Sequence, residues 1–330
     1  MDLNELSVLS LWSAMAMYAL AFIAFALDLA KRSADVTAAT QATESVESAS
    51  TATATSGSGS RVATLARADV DAPDVTAKRS PVLRVAVALT VIGFLLQLTA
   101  TVTRGVAAER VPWANMYEFA MTGTLLIIAV YLAVLVRVDL RFLGTFITGL
   151  VLVLLGIAAV NFYVEVVPLP PALQSAWLII HVFVASTATA FFALGFALSV
   201  LQLVQHRRQV AGTDLKNLKL KFLATLPSAE RLENLAYRTN IVAFILWTFT
   251  LMAGAIWAER AWGRYWGWDT KEVWTFIIWV IYAGYIHARA TRGWRGSRSA
   301  WLSIIGFAAV MFNFSVVNLF FKGLHAYSGL

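Results

Sequence analysis

Residues 142–161 read FLGTFITGLVLVLLGIAAVN, a run without one charged side chain. About 20 apolar residues coiled as a helix span the roughly 30 Å hydrocarbon core of a bilayer. A helix also satisfies its own backbone there, where no water is available to do so. The pattern recurs along the chain. Eight spans are expected, at 8–29, 82–103, 115–136, 142–161, 177–204, 237–258, 273–289 and 301–321. The fold class is therefore an all-α polytopic membrane protein of about eight transmembrane helices. Composition points the same way: 14% of residues are charged, against about 25% in soluble domains.

Orientation follows from charge. Lys31 and Arg32 close the first span, which places that side in the cytoplasm and the N-terminus outside; eight spans return the C-terminus to the outside. The segments 30–84, 137–141, 205–238 and 289–300 then face inward, and they hold 20 of the 26 Lys and Arg residues. That asymmetry is the positive-inside pattern. It accounts for the net charge of +7 without a nucleic-acid partner; the expected location is the cytoplasmic (plasma) membrane. The first apolar stretch has neither a basic leader nor a small-residue cleavage pattern, and it is expected to be retained as a span. There is no cysteine, which excludes disulfides, thiolate metal sites and a cysteine nucleophile.

Three regions are expected: a first transmembrane helix at 1–32, a disordered cytoplasmic linker at 33–80, and a transmembrane domain at 81–330 with an external Trp-rich loop at 257–274. Residues 33–79 are rich in Ala, Thr and Ser, include SGSGS and hold no aromatic residue, a composition that buries too little apolar surface to offset its ordering entropy. The basic, Leu-containing stretch 205–236 reads as a surface-lying amphipathic element, with Pro227 and Ser228 starting a helix that enters the sixth span.

Four histidines occur. On this topology His181, just inside the fifth span, and His325, just after the eighth, share the outer side with the Trp-rich loop. His287 lies roughly 21 Å down the seventh span from Val273, at 1.5 Å per residue, and a histidine at that depth is costly unless it has a function. His206, within QHRRQ, sits in the inner headgroup zone. Neutral imidazole is a common iron ligand, and two of them saturate a haem. Five of the twelve tryptophans, Trp257, Trp262, Trp266, Trp268 and Trp274, fall in one short stretch. An interfacial aromatic belt would spread them over many span ends. A clustered aromatic surface suits a large planar apolar ligand, with Arg264 and Lys271 available for its carboxylates. Haem has that shape; a quinone is also planar but needs no histidine pair.

GAIWAERAWGRYWGWDTKEVWTFIIW (254–279) resembles the tryptophan-rich WWD signature of haem-handling membrane proteins, most closely the CcsA/ResC family of cytochrome c biogenesis, called CcsB in some lineages. The resemblance runs from LENLAYR (232–238) through WVIYAGYIHAR (279–289) to NLFFKGLHAYSG (318–329), with weaker echoes at PWANMYEFA (112–120) and around His181. Thr270 departs from it, standing where the family usually has proline. The resemblance implies haem b as transported substrate, with His181 and His325 as ligands of an external haem iron. Trp262, Trp266, Trp268 and Asp269 would hold its edge, and His287 would ligate a transmembrane haem together with a histidine of a partner chain. It further implies a ResB-type membrane partner, an apocytochrome c carrying CxxCH, and a separate thiol-reducing protein, since this chain has no thiol of its own. The expected function is export and presentation of haem on the outer face for thioether attachment, with haem-lyase activity residing in the complex. A haem transporter or chaperone without attachment activity and a quinone-linked b-type electron carrier stand as alternatives.

Overall fold

Apolar stretches close their backbone hydrogen bonds internally, and among the described residues the regular structure is helical, joined by short turns. The computed structural model describes residues 2–53, 80–166, 174–211, 221–291, 293–321 and 323–325. In order, the helices are α1 (Leu3–Thr53), α2 (Pro81–Ala107), α3 (Met116–Leu135), α4 (Gly144–Asn161), α5 (Ala176–Ala211), α6 (Ala229–Trp262), α7 (Thr270–Thr291), α8 (Ser297–Phe314) and the short α9 (Val316–Phe320). Short 3-10 turns at Arg141–Leu143 and Lys221–Thr225 precede α4 and α6. Among the described residues, seven helices are long and apolar enough to cross a membrane. The expected seventh span falls on α7, which interleaves its aliphatic residues with Tyr282, Tyr285, His287 and Arg289 and is not among those seven.

Two groups of helices meet along a common core. α1, α2 and α4 pack together at the N-terminal side, while α5, α6, α7 and α8 pack around one another; α3 touches both groups through α4 and α5. The interior of the second group is aromatic. Phe192 of α5 stacks on Tyr282 of α7 with ring centroids 3.8 Å apart, and Phe196 stacks on Phe307 of α8 at 4.7 Å.

At one end of the bundle a fully buried charge cluster fixes the turn between α2 and α3. Arg104 donates from Nε to Glu118 Oε1 (3.0 Å), from one terminal nitrogen to Asn4 Oδ1 (2.7 Å) and from the other to the Val164 carbonyl (2.7 Å). Arg110 grips the same carboxylate with two hydrogen bonds, at 2.6 and 3.1 Å. Breaking a buried set like this leaves an uncompensated charge, at about 3–5 kcal/mol. The cluster holds the short stretch that presents Trp113 and Asn115. At the opposite end Glu233 of α6 pairs with Arg289 of α7 at 3.1 Å and accepts the Gly296 N–H at 2.8 Å, tying α6, α7 and the start of α8 together.

Two expectations are modified. Residues 33–53, read as the start of a disordered linker, continue α1 as helix; alanine recurs there at 34, 38, 39, 42, 49 and 52, and it is the strongest helix former. Residues 54–79 lie outside the described residues. The amphipathic element before α6 does not lie free on a surface over its described part, because Leu223 and Leu226 are buried and Arg208 donates to the Leu223 carbonyl at 2.9 Å. Ser228 caps α6 as expected, accepting from Arg231 N at 3.3 Å, and α6 then continues unbroken to Trp262.

Candidate functional site

The turn between α6 and α7 is closed from both sides by its own backbone chemistry. α6 stops at Gly263, whose φ of 71° is left-handed, a conformation that glycine adopts without a Cβ penalty. α7 starts at Asp269, and Glu272 reaches back to accept the N–H groups of Gly267 (2.8 Å) and Asp269 (3.1 Å). The Asp-x-x-Glu spacing makes this a capping box. Between the two ends, Trp268 also holds a left-handed φ of 59°, a state costing a non-glycine residue roughly 1–2 kcal/mol.

This turn meets the start of α5 and the chain after α9. His181 of α5 lies flat against α6 where residue 254 is glycine; a Cβ there would come within 2.7 Å of the imidazole Cε1. Its Nδ1 is 3.0 Å from the Thr250 carbonyl. A carbonyl can only accept, so Nδ1 carries the proton and Nε2 keeps its lone pair. His325 is fixed the same way by a different partner: its Nδ1 is 2.7 Å from Asp269 Oδ2, again leaving Nε2 free. Asp269 also accepts from Leu324 N at 3.1 Å and Lys271 N at 3.4 Å. The His325 hydrogen bond, outweighing partial burial, holds the Asp269 carboxyl below its ordinary value of 3.8.

Trp257 joins the two histidines. Its ring stacks on His181 (5.8 Å, 16° between planes) and meets His325 edge-on (5.4 Å, 67°). Trp262 supports it at 4.7 Å and packs against His325 at 4.8 Å.

Both histidines line two adjoining cavities. The larger, of about 360 Å³, runs between α3, α4, α5 and α8; the smaller, of about 70 Å³, lies between α6 and α7 under Trp266. Thr250, Lys271 and Thr275 line both. Lys271 turns its ammonium onto the Asn318 side-chain oxygen. Two imidazole Nε2 atoms with pinned Nδ1 partners, set on an apolar chamber, are two metal-ligating groups available to one ligand. The hydrogen bond behind each ring fixes its orientation and raises its basicity as a ligand.

The expected site residues divide into three groups. His181, His325, Lys271 and Trp266 line the cavities, and Trp262 and Asp269 stand behind His325 without lining either. Trp268 is 78% exposed and meets Trp266 edge-on at 5.8 Å, pointing away from the chamber. Arg264 is exposed and folds over Gly267, away from both cavities. His287 is exposed on the outer surface of α7, on the face bearing Phe276 and Val280. Two contributors escaped the sequence reading. Trp257 was legible only as one tryptophan among five, and Glu272 was signalled by the Asp-x-x-Glu spacing.

Residues 113–325 match the family model described as cytochrome C assembly protein. The cytochrome c biogenesis protein CcsA of Guillardia theta is 36% identical over 243 residues, covering 69% of this chain and 80% of its own length. CcsA of Mesostigma viride is 34% identical over 254 residues, covering 71% and 82%. CcsA of Prochlorococcus marinus is 39% identical over 177 residues, covering 48% and 56%. Among solved structures, the cytochrome c heme lyase CcmF superposes with a TM-score of 0.60 at 16% identity, over 95% of this chain and 47% of that longer one. At that identity the likeness is one of fold, and the chain spans about half of CcmF.

Proposed function

The chain belongs to the cytochrome c assembly protein family and takes part in cytochrome c maturation, and within that process we propose that it clasps haem b between His181 and His325 and presents it for attachment to apocytochrome c. The observation that carries this reading is the matched pair of pinned imidazoles, each with Nδ1 committed to a protein acceptor and Nε2 free, joined by Trp257 on one apolar chamber. Bis-imidazole ligation occupies both faces of the iron and holds the macrocycle in one orientation. Positioning haem vinyls against the thiols of a CxxCH segment is then the main contribution to thioether formation. The CxxCH histidine replaces one axial ligand on transfer. This chain supplies no covalent nucleophile.

In this reading the loop between α6 and α7 faces the outside of the cytoplasmic membrane, with both termini on that side, as the Lys and Arg distribution supports. The partner is a ResB-type membrane protein, and a separate protein keeps the substrate thiols reduced. His287, exposed on α7 far from both cavities, takes a second haem position whose other axial ligand comes from the partner chain. Haem-lyase activity belongs to the complex.

The test is reconstitution with a ResB-type partner, haem and a CxxCH apocytochrome. A low-spin bis-imidazole spectrum and covalent product are expected. A product formed equally well by the His181→Ala/His325→Ala double variant overturns the clasp. For His287→Ala, haem at the outer pair should fall while the pair still binds haem supplied from outside; full outer occupancy reduces His287 to a packing residue.

A further inference from the structure

Two buried amides face the larger chamber, each with one hydrogen-bonding atom that no described residue meets. Asn115 and Asn313 are 4% and 5% exposed, and Asn115 Nδ2 and Asn313 Oδ1 have no partner among the described residues. The assignment of oxygen and nitrogen is settled by the neighbours. Asn115 Oδ1 caps α3 by accepting from Glu118 N at 2.9 Å, so the unmet atom is the NH₂ donor. Asn313 Nδ2 lies 3.4 Å from Thr275 Oγ1. That hydroxyl spends its own proton on the Lys271 carbonyl at 2.7 Å and must accept from Asn313. The unmet atom of Asn313 is therefore an acceptor. Unpaired polar atoms buried to this degree cost about 1–3 kcal/mol each, and two on one chamber wall point to a ligand that meets them.

The remaining lining narrows its chemistry. Among the described residues around the chamber there is no carboxylate, and Lys271 is the one Lys or Arg. The rest is largely apolar, with Ile127, Leu154, Ile157 and Phe307 deep in the wall. On α5 the lining runs from Leu178 to Thr189, a depth of roughly 17 Å at 1.5 Å per residue. The unmet atoms thus offer an amide N–H, which beside the Lys271 cation suits an ionised carboxylate, and an amide oxygen, which a carboxylic O–H can meet. An apolar body with two carboxyl groups, one ionised and one protonated, satisfies all three. We propose that Asn115, Asn313 and Lys271 form the carboxyl-binding wall of the haem site, anchoring the propionic edge of the macrocycle ligated by His181 and His325 and thereby turning the opposite, vinyl-bearing edge away from them. This assignment rests on the haem-clasp reading and fixes the orientation within it.

Haem and its dimethyl ester separate the two ideas, because the ester keeps the iron and the macrocycle but cannot present a carboxylate or a carboxylic O–H. Titration of each into the purified full chain gives the preference directly. The wild type is expected to bind haem at least tenfold more tightly than the ester. Asn115→Ser keeps a helix-capping oxygen and removes the NH₂; Asn313→Leu removes the acceptor at similar volume. Each should reduce the preference three- to tenfold while leaving the low-spin spectrum of bound ester unchanged. Equal wild-type affinity for haem and ester overturns the proposal without any variant, as does an undiminished preference in both variants. Loss of binding to both ligands in the His181→Ala/His325→Ala variant supports the clasp whatever the ester shows. Retained binding there overturns the clasp and the carboxyl wall with it.

Discussion

His181 and His325 reach the same chamber from unlike foundations. His181 sits near the start of a 36-residue helix, pressed on Gly254, hydrogen-bonded to a helix carbonyl and stacked on Trp257. Moving it means moving α5 against α6, the most extensive helix contact in the molecule. His325 follows a five-residue helix and is held chiefly by one side chain, Asp269, which also accepts the preceding backbone N–H. The first is a feature of the framework and the second a feature of a clasp closed over it. In the proposed clasp this inequality would let one axial bond be exchanged while the other keeps the macrocycle in register.

The largest effect is expected when both ends are removed. His181→Ala/His325→Ala should abolish the low-spin haem signal and cytochrome c maturation, with added imidazole restoring part of each. Wild-type maturation in that variant would remove the basis for comparing them at all. Next comes the clasp. Asp269→Ala should weaken haem retention roughly 10- to 100-fold, the usual consequence of losing a partner behind a metal-bound histidine, and Asp269→Asn should lose less because an acceptor and a helix cap remain. Equal retention in Asp269→Ala and wild type, read by haem dissociation kinetics, would show that His325 needs no orienting group.

The framework end is tested by Gly254→Ala. Alanine favours the helix by about 1 kcal/mol, yet its Cβ would drive the His181 ring from its seat, at about 0.5–1.5 kcal/mol for an off-rotamer side chain. Melting temperature should hold or rise while haem affinity falls by about two- to tenfold. A parallel fall in both would mean that the contact is only packing. The smallest effect is acid sensitivity. The folded Asp269 pKa is depressed by His325, so the clasp's contribution is fully present above the unfolded carboxyl value near 4 and is lost as pH falls through the lower folded value. Protection of the 321–325 stretch from proteolysis should decline in that acid range, and Asp269→Asn should flatten the decline.

Much of the fold could be read from hydropathy because a bilayer enforces one solution for each long apolar run. All eight expected spans fall on helices, and Ser228 begins α6 where its cap chemistry placed it. Composition misled where alanine served two readings, in 33–53, and where Leu223 and Leu226 found a groove that no local pattern announces. At the site, residue type and topology brought His181 and His325 to one side, and Asp269 came with the resemblance to the WWD signature, as a holder of the haem edge and not as the partner of His325. Residue type and topology could not separate Trp257, which touches both imidazoles, from Trp268, which points outward, because neighbouring positions on a turn diverge only once its backbone is known. Arg264 shows the same limit: a cation beside an aromatic cluster folds over a glycine and leaves the chamber to Lys271. Asn115 and Asn313 stand 198 positions apart, and nothing local signals that they share a wall.

Helix α6 has 34 residues, which at 1.5 Å each makes a rod of roughly 51 Å, against a hydrocarbon core of about 30 Å. It is continuous from the Ser228 cap to the Gly263 turn. Near one end Glu233 holds Arg289; toward the other, Thr250 and Gly254 carry the His181 ring and Trp257 touches both imidazoles. A rod joined at both ends transmits torque. The Glu233–Arg289 pair and the seat of both imidazoles are therefore parts of one continuous body, and the register of the first is fixed relative to the second.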